Sequence, residues 1–156
     1  MLFSRHVTIF GFFLISFVFP LSASIVAAQG SLPSTRSLDC RFTVIATGAW
    51  TDGVAEVGID TSTLSIQFVE IDTDGATAEV LGPYGASNII VRQTGDYLHL
   101  MQVFTVGPLY TTTVFDRETT DGRLMAVHTR HEYTDVSLAG FTSKPEQYYG
   151  DCEIGP

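Results

Sequence analysis

Basic residues are scarce in this chain of 156 residues, which has eight lysines and arginines against 17 aspartates and glutamates. Lys144 is the only lysine, and the arginines are scattered instead of clustered. Nucleic acids and anionic lipid surfaces are bound through basic patches, so the composition excludes both as partners. We expect any ligand to be small and either uncharged or cationic. An interior arginine such as Arg92 or Arg130 is the exception to consider, although a carboxylate such as Glu132 is its more usual partner.

Acidic residues are missing from residues 1–28. This segment has one arginine, then an apolar stretch over residues 7–21, and it ends in Val26-Ala27-Ala28. That order is typical of a secretory signal peptide. Small residues are required just before the peptide bond that is cut, and their positions predict cleavage after Ala28. Pro20 keeps the apolar run below the roughly 18 residues that span a bilayer, so a permanent anchor is disfavoured. The protein is expected to be secreted or periplasmic.

Removal of the leader leaves residues 29–156, with seven basic and 17 acidic side chains and a net charge of −10. This length is typical of one domain with its own hydrophobic core. A lipid anchor would need a cysteine directly after the cleavage site, whereas the first cysteine is Cys40. We therefore expect a soluble monomer with no membrane attachment after signal cleavage.

Cysteine is nearly absent, since Cys40 and Cys152 are the only two and no Cys-x-x-Cys motif is present. Thiol-exchange catalysis therefore has no support. Export leads to an oxidising compartment, which predicts a disulfide between the two ends of the domain. Closing a loop of about 110 residues stabilises a fold by roughly 4 to 5 kcal/mol through the entropy of the unfolded chain. Two unpaired buried thiols are the alternative.

The apolar period of a helix is missing from every segment before residue 142. Turn sequences such as Asp-Gly and Gly-Pro instead separate β-rich runs. Leu64, Ile66 and Phe68 alternate with polar residues, which predicts a strand with one buried face. Strands are predicted at 41–50, 54–60, 63–71, 76–81, 87–93, 96–106, 109–116, 123–133 and 136–141.

These patterns predict an all-β fold, an antiparallel meander that closes into an up-and-down barrel of about eight strands. One short helical turn is predicted over residues 145–149, because Ser143-Lys144-Pro145-Glu146 matches a capping box and Gly150 supplies a stop. This turn would pack Tyr148 and Tyr149 against the barrel and bring the C-terminal cysteine to its partner. A ligand-contacting role for the two tyrosines is the alternative.

Motifs for metal binding and covalent catalysis are missing. His128 and His131 point to opposite faces of one predicted strand, and no His-Glu-x-x-His spacing occurs, so we expect neither a metal nor a cofactor.

Residues 70–75 resemble the start of a calcium loop, but the last ligand position of such a loop is Leu81 here instead of glutamate, so a hairpin turn is favoured. No Gly-x-Ser-x-Gly motif is present.

Two classes of function stay open at this point. The first is a non-enzymatic barrel that holds a small apolar ligand or presents its outer face to a protein partner. The second is a small secreted hydrolase that uses Asp116, Glu118, Glu132 or His128.

The residues Gly48-Ala49-Trp50 resemble the Gly-x-Trp sequence that opens lipocalins, and Gly95-Asp96-Tyr97 is similar to their second motif. Lipocalins are secreted eight-stranded barrels, often with a disulfide that ties the C-terminal tail to the barrel. The resemblance implies a calycin-like exported barrel with Trp50 as the plug of one end. Trp50 also directly precedes a turn and is the only tryptophan, so we expect it to be largely buried.

Overall fold

Eight antiparallel strands form one closed barrel in the computed structural model, which describes residues 32–82, 85–105, 107–133 and 143–155. Each strand pairs with the next along the chain, and the last returns to pair with the first. The strands are β1 (Leu38–Thr51), β2 (Val54–Asp72), β3 (Thr77–Gly82), β4 (Gly85–Thr94), β5 (Tyr97–Val103), β6 (Leu109–Glu118), β7 (Leu124–His131) and β8 (Glu146–Ile154). The prediction of an all-β up-and-down barrel of about eight strands is confirmed.

The last strand corrects the prediction of a helical turn over residues 145–149. Glu146–Ile154 is strand β8, which pairs with β1 on one side and with β7 on the other. A strand inside a closed sheet gains backbone hydrogen bonds on both sides, whereas a single helical turn leaves most of its N–H and C=O groups unpaired. Tertiary pairing therefore overrides the local capping signal. The only helical element within the described ranges is the 3-10 turn Leu32–Ser34.

Two further predictions on the strands also need comment. The segments predicted at 54–60 and 63–71 are parts of a single strand, β2. The strand predicted at 136–141 and the leader predicted at 1–28 both lie outside the described residues. Within the part of the chain that the structure describes, no helix is long and apolar enough to cross a bilayer.

The barrel has a closed end, which we call the lower end, where β1 begins and β8 ends. Leu32 from the 3-10 turn is completely buried there and belongs to the same apolar core as the inward side chains of the strands. Ile71 N donates to Arg36 O over 3.0 Å, and Gly155 N donates to Ser37 O over 3.1 Å. These bonds hold the entering and leaving segments of the chain across the lower end.

The two cysteines close the seam between the first and last strands. Cys40 and Cys152 are directly opposite each other on β1 and β8, and a disulfide with an S–S length of 2.01 Å joins them. Both residues are buried in the core. The predicted pair is confirmed.

At the opposite, upper end of the barrel, β1 and β2 continue as a two-stranded hairpin. β1 pairs with β8 only as far as Thr47, and β2 pairs with β3 only from Gln67 onward. We call residues 48–60 the β1–β2 extension. Trp50 lies on it, 54% exposed, with its ring centroid 5.7 Å from that of Tyr133. The expectation that Trp50 is buried and plugs the barrel is wrong, because the hairpin that carries it projects beyond the barrel wall.

Candidate functional site

The upper half of the barrel encloses a cavity of about 310 Å³ that is partly open to the surface. Near the lower end, large inward side chains such as Phe42, Leu98 and Leu38 fill the interior. Higher up, Ser87 and Thr112 are small residues among the larger side chains that line the cavity, and they leave room between its walls.

One wall of this cavity is apolar. Most of its side chains come from alternate residues of neighbouring strands, because every second residue of a strand faces inward, and Leu81 near the end of β3 adds to them. The apolar lining consists of Leu64, Ile66 and Phe68 of β2, Val80 and Leu81 of β3, Ile89 of β4, Leu100 of β5, and Phe104. This wall offers no charged group to an occupant.

The opposite wall is polar and comes from β6 and β7. In the register of these strands, Thr112 is opposite His128 and Tyr110 is opposite Arg130. Strand β8 continues both rows, so that each row crosses three strands. The first row consists of Thr112, His128 and Tyr148. The second row, nearer the upper end of the barrel, consists of Tyr110, Arg130 and Glu146.

His128, the middle residue of the first row, is buried and neutral. Arg130 Nε donates to His128 Nε2 over 3.4 Å, so the ring proton is on Nδ1, which donates to Thr112 Oγ1 over 2.8 Å. Burial, with a smaller effect of the positive charge of Arg130, lowers the pKa of His128 to about 3. The imidazole therefore holds the neighbouring side chains in place without carrying a charge at neutral pH.

Arg130 lies between two tyrosine rings. Its guanidinium carbon is 5.2 Å from the ring centroid of Tyr110 and 5.3 Å from that of Tyr148, within the range of cation–π attraction. Its Nη1 is 3.9 Å from Glu146 Oε2. The interior arginine thus has a carboxylate neighbour, as expected, but the carboxylate is Glu146 and not Glu132. Arg92, the other candidate, is exposed.

The two tyrosines donate hydrogen bonds to the two carboxylates. Tyr110 Oη donates to Glu132 Oε2 over 2.7 Å, and Tyr148 Oη donates to Glu146 Oε2. Burial and these bonds raise the pKa of Tyr110 well above its usual range, and they raise the pKa of Tyr148 to about 12. Both phenols stay protonated. We call this set the polar cluster: Tyr110, His128, Arg130, Glu132, Glu146 and Tyr148.

The structure does not bring the predicted hydrolase residues together. Glu118 pairs with Leu124 beside the turn that joins β6 to β7 at the lower end, with Asp116 two residues away. Glu132 follows the end of β7 at the upper end, and His128 faces the interior between them. Within the described ranges, no group of three or more histidine, cysteine, aspartate or glutamate residues is arranged to hold a metal ion.

The paired tyrosines have different environments. Tyr148 faces inward and is buried, with its ring centroid 6.5 Å from that of Phe42, whereas Tyr149 faces outward and is exposed. Packing against the interior therefore applies to Tyr148 alone. Sequence reasoning also missed Tyr110 and Glu146. The sequence signal for Glu146 was that it lies two residues before Tyr148. Two residues with this spacing share a face only if the segment is a strand.

Comparison with known proteins identifies no similar protein or family. No protein-family model matches this chain, and no curated protein or solved structure was found to be similar to it. The resemblance of Gly48-Ala49-Trp50 to lipocalins stays a prediction that rests on those residues.

Proposed function

We propose that this protein is an exported, non-enzymatic binding protein that holds one small, mainly apolar, uncharged molecule in its upper cavity. The observation that carries the proposal is the partly enclosed cavity of about 310 Å³ with one apolar wall and one polar wall. Small-molecule sites have this composition, in which apolar side chains supply most of the contact and a few polar groups fix the orientation.

The two walls define how such a ligand would lie. Its apolar part would pack against the β2 to β5 side, where Phe68, Ile89 and Leu100 are already buried. Its polar group would face the side lined by Gln102 and Arg130, whose N–H groups can donate to a carbonyl or hydroxyl oxygen.

The charges of the polar cluster favour an uncharged ligand over an anion. One guanidinium, Arg130, stands beside two carboxylates, Glu132 and Glu146, while His128 is neutral. The cluster therefore carries a net negative charge. Arg130 lines the cavity, but the nearby carboxylates offset the attraction of its positive charge for an anion, so an anion would lose its hydration without full compensation.

Binding is favoured over hydrolysis by the state of the same residues. Both ring nitrogens of His128 are in hydrogen bonds, and its lowered pKa makes it a poor base at neutral pH. Glu132 is tied to a tyrosine, far along the barrel from Glu118.

The disulfide between Cys40 and Cys152 fits an oxidising, extracellular compartment. We place the mature protein in such a compartment, secreted or periplasmic, after removal of residues 1–28. A soluble carrier or sensor of apolar molecules would function there without a membrane anchor.

The proposal can be tested with two dyes that share one skeleton. The neutral dye phenylnaphthylamine should bind with saturable fluorescence enhancement, and anilinonaphthalene sulfonate, its anionic analogue, should bind roughly tenfold more weakly. Ser87→Phe, which places a ring in the cavity, should abolish binding of the neutral dye. Asn88→Phe adds the same ring on the outer face and should leave binding unchanged.

Circular dichroism would first establish that both variants are folded. Absence of neutral dye binding, or equal binding by the two variants, would refute the cavity as the site. Tighter binding of the sulfonate would refute the preference for uncharged ligands.

A further inference from the structure

The β1–β2 extension has one face that is apolar and open to water. Val57 is 89% exposed and Ile59 is 80% exposed. In the register of β1 and β2, these side chains share a face with Trp50 and with the small residues Ala46 and Ala55. Large apolar side chains clustered in this way on a protein surface are typical of an interaction site.

The other face of the extension is acidic. Glu56 pairs with Ala49 and accepts a hydrogen bond of 3.0 Å from Thr51 Oγ1, and Asp60 pairs with Ile45 on the same face. No lysine or arginine occurs between Arg41 and Arg92. The negative charge of this face is therefore not balanced by basic residues of the hairpin itself.

Strand β2 also has an unpaired edge along the extension. Within the described residues, β1 is its only partner strand until β3 joins at Gln67. Local side chains accept the N–H groups of Thr61 and Leu64, through Asp60 Oδ1 at 2.7 Å and Ser62 Oγ at 3.1 Å. Residues 54–59 keep an edge to which another strand can be added, and we call them the open edge.

We propose that the open edge binds an extended segment of a partner protein in which basic and apolar side chains alternate. Such a segment adds a third strand to the hairpin, and its main chain bonds to the exposed N–H and C=O groups of β2. Because side chains alternate between faces, its apolar residues lie beside Val57 and Ile59 while its basic residues lie beside Glu56 and Asp60. This interaction is independent of the cavity.

A second copy of this chain fits the open edge less well. Two copies could pair their β2 edges antiparallel about a two-fold axis that passes near one of residues 56–60. In each such register, Glu56 or Asp60 of one copy would lie opposite or diagonal to an acidic residue of the other copy. Like charges across a strand pair are destabilising. The net charge of −10 on each copy acts in the same direction.

A lipid surface fits less well for a different reason. Hydrocarbon cannot bond to the N–H and C=O groups of the open edge, and leaving them unpaired there is costly. Acidic residues on the second face would also be driven away from anionic headgroups. A protein strand satisfies both the backbone and the charges.

Short labelled peptides test the proposal by fluorescence anisotropy with the purified protein. A peptide of alternating lysine and valine should bind at least roughly tenfold more tightly than one of alternating glutamate and valine. A peptide of the same lysine and valine content, with the two residues grouped in separate halves, should also bind roughly tenfold more weakly. Double substitution of Glu56→Lys and Asp60→Lys should reverse the preference between the first two peptides.

Ile59→Lys should weaken binding of the lysine–valine peptide roughly tenfold, since it places a charge on the apolar face. Ile90→Lys makes the same change on the outer wall of β4, at another exposed isoleucine, and should have no effect. Equal binding of the grouped peptide would overturn the strand-addition mechanism in favour of general charge attraction.

Two other outcomes would overturn the choice of partner. A dimer in sedimentation velocity that Ile59→Lys dissociates would assign the open edge to a second copy. Binding to phosphatidylcholine vesicles that the same substitution abolishes would assign the apolar face to lipid.

Discussion

At the scale of single residues, the interior of this barrel combines side chains that are usually found at surfaces. Arg130 and His128 face inward from β7, where cross-strand neighbours on β6 and β8 surround them. The cost of burying the guanidinium is offset by two aromatic rings and a nearby carboxylate. His128 meets the same environment by losing its proton instead.

The buried His128 predicts a specific loss of stability in mild acid. Its pKa is about 3 in the fold and about 6.5 when unfolded, so below pH 6.5 the unfolded chain takes up a proton that the folded protein does not. The contribution of the neutral ring to stability is complete above pH 6.5 and declines as the pH falls toward 3. The free energy of unfolding should therefore decrease by up to about 1.4 kcal/mol per pH unit in this window.

Urea denaturation at pH 7 and pH 5 measures this effect. His128→Gln, which keeps a neutral polar group opposite Thr112, should remove most of the decrease. His131→Gln, at the exposed end of the same strand, should retain it. An unchanged pH dependence in His128→Gln would show that other groups cause the acid sensitivity.

At the scale of elements, β8 shows most clearly how pairing decides structure. Gly150, which ends the predicted helical turn, instead faces Phe42 of β1 at an irregularity in the register. A Cβ atom there would be 1.9 Å from the carbonyl oxygen of Arg41. The glycine permits the close approach of two strands, a role that cannot be recognised without knowing that β1 is its neighbour.

The disulfide at the β1–β8 seam should contribute strongly to stability. Cys40 and Cys152 are separated by 112 residues, so their bond restricts a long loop of the unfolded chain. Replacing both by alanine should lower the free energy of unfolding by roughly 4 to 5 kcal/mol.

Denaturation followed by far-ultraviolet circular dichroism would measure this loss, and the wild-type protein with its disulfide reduced is the matched control. The two should be destabilised to a similar degree. A loss below about 1 kcal/mol in both would mean that the unfolded chain is already restricted without the bond.

At the scale of the whole molecule, the excess of acidic residues sets which surfaces the protein can approach. Residues 29–156 carry a net charge of −10, and their seven basic residues are scattered along the sequence. Arg130 is withdrawn into the interior, and Arg123 is engaged by Asp151 and Glu153 at the seam. Five other basic residues are set against 17 acidic residues, so an external anion meets an excess of negative charge.

This charge distribution predicts no binding to duplex DNA or to anionic vesicles. The test is most severe at low salt, where the Debye length reaches about 30 Å and electrostatic interactions are least screened. Electrophoretic mobility shift and vesicle co-sedimentation should both give no binding, with a basic protein such as lysozyme as the positive comparison. Tight association with either surface would contradict the prediction.

The sequence by itself determined the fold class, the approximate strands and the cysteine pair. Alternation such as that of Leu64, Ile66 and Phe68 reports which face of a strand is buried, and two cysteines allow only one pairing. These are local or unambiguous signals. They hold whatever the neighbours of each strand are.

Only the tertiary structure decided the polar cluster, the strand at Glu146–Ile154 and the exposure of Trp50. Each depends on which strands are adjacent and where their pairing stops. Pairing of β8 with β7 places Glu146 beside Arg130, and the end of the β1–β8 pairing at Thr47 leaves Trp50 on a projecting hairpin. Residue spacing along one strand carries no information on these lateral contacts, because they form between segments far apart in the chain.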